Sequence, residues 1–494
     1  MNFHTIITHE YPDLDALLCC YLLTTYGEKK YPGIKQAQFL FFPAGQLEKT
    51  PEELEQEGIL AVDIGGGRLD THPVGNSITE DKLELSAANL VAEDLGVQNH
   101  IGLKNLLEFT RLQDSCGQSI SSKSPIDHTM ALPNIIKGAL LVFKKNFSEM
   151  VKSFFPIFQA IERSEEYKNI AFCTEELPFV IGITQNNVCL PKVYNLKSIF
   201  SLYLAHRYLN KEIIQNIPDN VIWYDFLALL DQYNIANLEE IQKIISFLQN
   251  LLEKRYFLDT IDSKDTVASV VNIINGLYLI GNNNFFSTLD TIFLLFDSII
   301  AYEKSWNQGI AEYNKKKEIH IINSKKIVSI EAENGTVLKV ARWQDRPDII
   351  VYHDLQYGNY SITLNKTGKL SKFSLSNLAY KIRIYESIYQ KINIEDINNL
   401  SKIGELYGWF LHQSQKLLLH GSLKSIREPS HIPFNILIQL VISELDRSKK
   451  LPLCMDEKCQ QMNCPLFSYR FSNCFEHRKH NRKPMHNDSK ETNG

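Results

Sequence analysis

The sequence predicts an α/β fold, and three observations carry that prediction. Phe3 to Thr8 is an apolar run of strand length that opens at once into a polar loop. Leu17 to Leu23, with Cys19 and Cys20 inside it, follows that loop as a buried helix would. A second apolar strand from Ile59 ends in Asp63, so polar groups gather where strands end, the place where open α/β sheets bind their ligands.

The elements follow in order. After the first strand, His9, Asp13 and Asp15 share one loop; Asp13 alone would be an ordinary helix cap, but three donors together suit a cation. After the second strand, Gly65-Gly66-Gly67 lets the backbone turn and delivers Asp70, Thr71 and His72 close to Asp63. No Gly-x-Gly-x-x-Gly or Gly-Lys-Ser pattern accompanies these glycines, which argues against a phosphate-cradling nucleotide loop. Leu83 to Leu95 reads as a helix, and Leu106 to Leu112 is an apolar segment that runs into Asp114, with Asp127-His128 as the weaker neighbour.

Residues 133–166 read as one or two helices, 178–194 as a hairpin around Asn186-Asn187, and 196–302 as a helical module without sustained heptads. From 318 onward the chain predicts strands at 319–322, 326–332, 336–340, 348–352 and 360–365, with Asn334-Gly335 as a hairpin turn. Helices are expected at 375–390 and 403–406. His412, Lys416, His420 and Lys424 are candidate contacts for a phosphate or base, weighed equally against a place in the core. Cys454, Cys459, Cys464 and Cys474 form a dense late cluster that reads first as a structural zinc site, second as an iron–sulfur cluster, and third as unrelated thiols.

The order His9-x3-Asp13-x-Asp15, then Asp63 in Ala-Val-Asp-Ile-Gly-Gly-Gly, then Asp70-Thr71-His72, then Asp114, resembles the DHH phosphoesterase superfamily. That superfamily includes RecJ-like exonucleases, nucleotide phosphodiesterases and family II pyrophosphatases. The resemblance covers about the first 130 residues and rests on four short motifs in the right order. It implies a parallel-sheet metal domain holding two Mn²⁺ or Mg²⁺ ions through His9, Asp13, Asp15, Asp63, His72 and Asp114. Asp70 and His72 would then orient ligands or donate a proton. Thr71 stands where the family carries a histidine, so His72 takes its place, the site is one ligand short, or catalysis has been lost. The implied substrate is a nucleotide or short oligonucleotide, and a homodimer is left open.

The resulting organisation is a DHH-type metal domain at 1–145, a mostly helical insert at 146–315 and a smaller α/β substrate-closing domain at 316–445. A cysteine-rich segment at 446–480 and a disordered tail at 481–494 complete it. With 494 residues, 44% hydrophobic and 22% charged, the composition is that of a soluble globular protein of more than one domain. Nine cysteines suit a reducing compartment; without an apolar run of membrane-spanning length or a signal-like start, the expected location is cytoplasmic, with no membrane partner. A net charge of −5 argues against a nucleic-acid-coating protein without excluding local phosphate contacts. Two other classes stay open: a catalytically reduced nucleotide sensor, and a nucleic-acid binder built on the cysteine-rich end and the basic tail.

Overall fold

A computed structural model of the chain describes residues 1–43, 47–71, 85–116, 131–167, 179–185, 188–194, 203, 207, 273, 276–277, 285–365, 368–390, 397–412, 414–421 and 428–446. His72, Asp127-His128, Lys424 and the four late cysteines lie outside them. The architecture is mixed α/β, and the chain divides into two compact units between Lys304 and Ser305.

The first unit is built on β1 (Thr5–His9), β2 (Gln38–Phe42) and β3 (Ile59–Ala61), all parallel, with β1 in the centre. Thr5 pairs with Gln38 on one side and with Ile59 on the other. All five residues of β1 are buried, as befits the middle strand of a parallel sheet covered on both faces. Between β1 and β2 runs α1 (Leu14–Tyr26), in which every residue from Leu14 to Leu23 is buried, so the helix is apolar all round. The short α2 (Pro51–Gln56) starts on a capping box between Thr50 and Glu53, with Pro51 at its first position.

Beyond β3 come α3 (Ala87–Asp94), α4 (Lys104–Cys116), α5 (Leu132–Phe143) and α6 (Phe147–Tyr167). Their apolar stripes share one core with α1, including Leu17, Leu18, Val91, Leu106, Ile135, Phe154 and Phe158. The hairpin of β4 (Phe179–Gln185) and β5 (Val188–Tyr194) pairs as the sequence predicts. Little of the expected helical stretch 196–302 is described, apart from the start of α7 (Phe285–Lys316).

The second unit carries β6 (Glu318–Ile322), β7 (Lys325–Ala332), α8 (Val337–Gln344), β8 (Ile349–Asp354), β9 (Tyr360–Leu364) and α9 (Ser376–Gln390). There follow β10 (Gly404–Leu406), β11 (Trp409–Leu411), β12 (Leu417–His420) and α10 (Phe434–Leu445). Its sheet has the order β10-β11-β12-β9-β8-β7-β6, antiparallel except for β7 and β8. Two expectations fail here. Residues 336–340 are not a strand after an Asn334-Gly335 hairpin but the first turn of α8. A parallel β7–β8 pair needs a crossover, and Val337, Val340 and Ala341 supply a buried helical stripe for it. Residues 404–406 are a strand, not a helix, paired from Leu406 to Trp409.

Candidate metal centre

The centre is assembled at the carboxyl ends of β1 and β3. His9 is the last residue of β1 and is 1% exposed. Its Nδ1 lies 2.8 Å from the Glu10 carbonyl, which can only accept, so Nδ1 carries the proton and Nε2 turns its lone pair inward. That Nε2 lies 3.0 Å from Asp63 Oδ2 and 3.8 Å from Asp13 Oδ1. A lone pair facing a carboxylate is favourable only with a proton or a cation between them.

Each carboxylate is held by a local device. Asp13 caps α1, its Oδ1 accepting from the N–H groups of Asp15 and Ala16, after Tyr11 has turned the chain at φ 57°. Asp15 sits in the first turn of α1, 3% exposed, and accepts from the N–H groups of Ala87 at 2.7 Å and Ala88 at 2.8 Å. The amino end of α3 is thereby tied to the site. Asp63 follows β3 with φ 54°, a left-handed conformation that a non-glycine residue adopts at a cost, and its N–H is fixed on the Leu69 carbonyl. Gly65 and Gly66 then turn with φ of 86° and 72°, and the Gly66 N–H donates to Asp70 Oδ2 at 2.7 Å.

Like charge accumulates here. The Asp15 carboxyl is pushed well above the usual carboxylate range, first by burial and then by the charges of Asp63, Asp114 and Asp13; the Ala88 N–H opposes this only in part. Burial, then the charges of Asp15, Asp63 and Asp13, raise the thiol of Cys19, and burial with Asp63 raises that of Cys20. One ligand atom each from His9, Asp13 and Asp63 lies within 4.8 Å of the other two. One imidazole nitrogen with several carboxylate oxygens is the donor set of a hard divalent ion such as Mn²⁺ or Mg²⁺, so these residues fit the metal that the motifs imply.

The structure thus brings His9, Asp13, Asp15 and Asp63 together, with Asp114 on α4 near enough to act on Asp15 electrostatically. Asp70 holds the glycine turn from behind, beside a buried Thr71. In the second unit, His412 bonds to the Ser414 hydroxyl. Lys416 donates its ammonium to the carbonyls of Ser371 and Phe373, and His420 is 2% exposed, edge-on to Trp409. Lys416 and His420 serve the fold in this arrangement.

Two contributors escape sequence reasoning: the Glu10 carbonyl, which any residue type supplies, and the Ala87 and Ala88 amides. The latter have a legible signal, since Ser86 and Asn89 form the helix-start pair whose backbone and hydroxyl donors meet Asn89 Oδ1.

No family model matches the chain, and no curated protein matches it in sequence. Among solved structures it is similar to the crystal structure of CDC45 from Entamoeba histolytica. The TM-score is 0.21 and the identity 11%, over 73% of this chain and 84% of that one, a likeness too slight to assign fold or function.

Proposed function

We propose that the chain is a DHH-type, metal-dependent phosphoesterase that hydrolyses a nucleotide or short oligonucleotide phosphoester with no covalent protein intermediate. The observation that carries this reading is the convergence of His9 Nε2, Asp13 Oδ1 and Asp63 Oδ2 at the strand ends, beside the buried carboxylate of Asp15.

Two Mn²⁺ or Mg²⁺ ions held by His9, Asp13, Asp15, Asp63 and Asp114 would neutralise phosphate charge and lower the pKa of a bound water. The chain's own groups prepare that site. The Glu10 carbonyl keeps the His9 lone pair inward, the α3 amides keep both Asp15 oxygens aimed, and Asp70 keeps the turn after Asp63 closed. In the balanced reaction a water oxygen bonds to phosphorus, the ester P–O bond breaks and the leaving oxygen takes a proton. This reading assigns that proton to His72. Zinc or an iron–sulfur cluster at Cys454, Cys459, Cys464 and Cys474 remains a separate structural proposal.

The test is hydrolysis of a panel of phosphodiester, short RNA and DNA, cyclic dinucleotide and pyrophosphate with Mn²⁺ or Mg²⁺, against the Asp13→Asn and Asp63→Asn variants. Metal-dependent turnover that the variants lack is the expected result. Thr71 in place of an imidazole favours a second reading, a nucleotide sensor. Bound metal and bound nucleotide without turnover of any panel member would establish it instead.

A further inference from the structure

We propose that His100, Glu162 and Glu166 form a second divalent-cation site, separate from the centre at the strand ends and suited to a borderline transition-metal ion such as Zn²⁺ or Co²⁺. Glu162 and Glu166 stand one turn apart on α6, and His100 lies in the turn before α4. One ligand atom from each lies within 4.8 Å of the other two.

The distances separate a coordination site from a hydrogen-bonded cluster. His100 Nδ1 is 3.8 Å from Glu162 Oε1, and Nε2 is 3.6 Å from Glu166 Oε1. Both exceed hydrogen-bonding range; an ion takes one of the two nitrogens, and that nitrogen lies with one oxygen of each glutamate within 4.8 Å, a spacing that a small shift closes onto metal–ligand bonds of about 2.1 Å. The His100 Nδ1 atom is buried and has no hydrogen-bond partner, an imidazole nitrogen kept from water with nothing to bond.

The surroundings are those of ligands being oriented. Glu162 accepts from the hydroxyls of Tyr21, at 2.6 Å, and Tyr26, both on α1. Arg163 takes Glu166 Oε2 at 2.7 Å, which leaves Oε1 turned toward His100. Such outer partners fix ligating carboxylates in metal sites. Gly102 brings the loop onto α6: a Cβ there would stand 2.6 Å from both Cγ and the carbonyl oxygen of Glu162. Only glycine lets His100 approach this closely.

Along α1, Tyr26 lies eleven residues beyond Asp15, about 16 Å of helix. The ion therefore does not join the reaction. It fastens the loop before α4 and α6 to the far end of the helix that Asp13 caps and whose first turn carries Asp15.

Titration of the full chain with Co²⁺, followed by visible absorption, tests the site. The expected result is an ion with d–d bands and no thiolate charge transfer, retained in the Asp13→Asn, Asp63→Asn double variant. His100→Ala and Glu166→Gln should each weaken its binding at least 10-fold and abolish the rise in Tm that Co²⁺ causes. Glu166→Gln keeps the tyrosine bonds on Glu162 and carries the test if His100→Ala does not fold. Unchanged Co²⁺ affinity in Glu166→Gln, a signal wholly due to thiolates, or no binding by the unmodified protein overturns the proposal. Loss of turnover in the panel would leave this site standing.

Discussion

The two units bury charge in opposite ways. In the first, Asp15 and Asp63 are each 3% exposed and stand among further carboxylates, and burial with mutual repulsion raises the proton affinity of Asp15. In the second, Arg383 and Glu386 are fully buried on α9 and both bond to Trp409, with only the Arg383 Nε left unbonded between them. Arg383 donates to the carbonyls of Leu400, Lys402, Gly404 and Trp409. Glu386 accepts from Trp409 Nε1, the Ser430 hydroxyl and the His431 N–H. Buried charge hydrogen-bonded on most of its polar atoms holds a fold together, whereas buried like charges are tolerated where a ligand supplies the opposite sign.

That contrast is most exposed to test at Asp63. Asp63→Asn should lower metal-dependent turnover by roughly 10³–10⁴-fold, about 4–5.5 kcal/mol of transition-state stabilisation. The same substitution, measured by calorimetry in chelator, should leave the Tm equal or higher because it removes repulsion. A fall in Tm would mean that the carboxylate is structural, and the contrast would collapse.

In the second unit the order of effects reverses. Arg383→Met should cost about 3–4 kcal/mol in urea unfolding, since it strands buried carbonyl groups, and should leave the metal affinity of the first unit unchanged. Leu18→Ala in the first unit, at a fully buried position of α1, calibrates an apolar loss of about 3 kcal/mol and should lower stability and metal affinity together. Ser430→Ala removes one donor to Glu386 and should cost about 1–2 kcal/mol.

The finest distinction is in pH. Burial alone would raise the Glu386 carboxyl, but Ser430, His431 and Trp409 outweigh it and hold it below the usual glutamate range. A depressed folded value means that its contribution is complete above the unfolded value, near 4.3, and fades as pH falls through the folded one. Glu386→Gln should therefore flatten the acid limb of Tm against pH for this unit. An unchanged limb would show that the carboxylate's partners contribute nothing net.

Much of the first unit was legible because its signals are local. The apolar run Leu17 to Leu23 needs no neighbour to be read as a buried helix, and the motif residues His9, Asp13, Asp15 and Asp63 sit at strand and helix ends beside it. The middle strand β1 was legible while its partner β2 was not, because Gln38–Phe42 is an edge strand with an exposed start. In the second unit Asn334-Gly335 has the composition of a hairpin turn, but Asn334 instead accepts from the Thr336 N–H and donates to the Ser305 carbonyl, opening α8. A turn dipeptide specifies a local bend and not the direction of the next strand.

The sequence by itself determined most strands and helices of the first unit and which side-chain types stand at its strand ends, since side-chain type and hydrophobic period are properties of neighbours along the chain. Only the tertiary structure decided that the α3 amides hold Asp15, that Lys416 donates to the Ser371 carbonyl, that His420 is buried, and that His100 lies beside Glu162 and Glu166. Several of those relations join residues far apart in sequence, 45 positions for Lys416 and Ser371 and 73 for Ala88 and Asp15, and only packing brings such partners together.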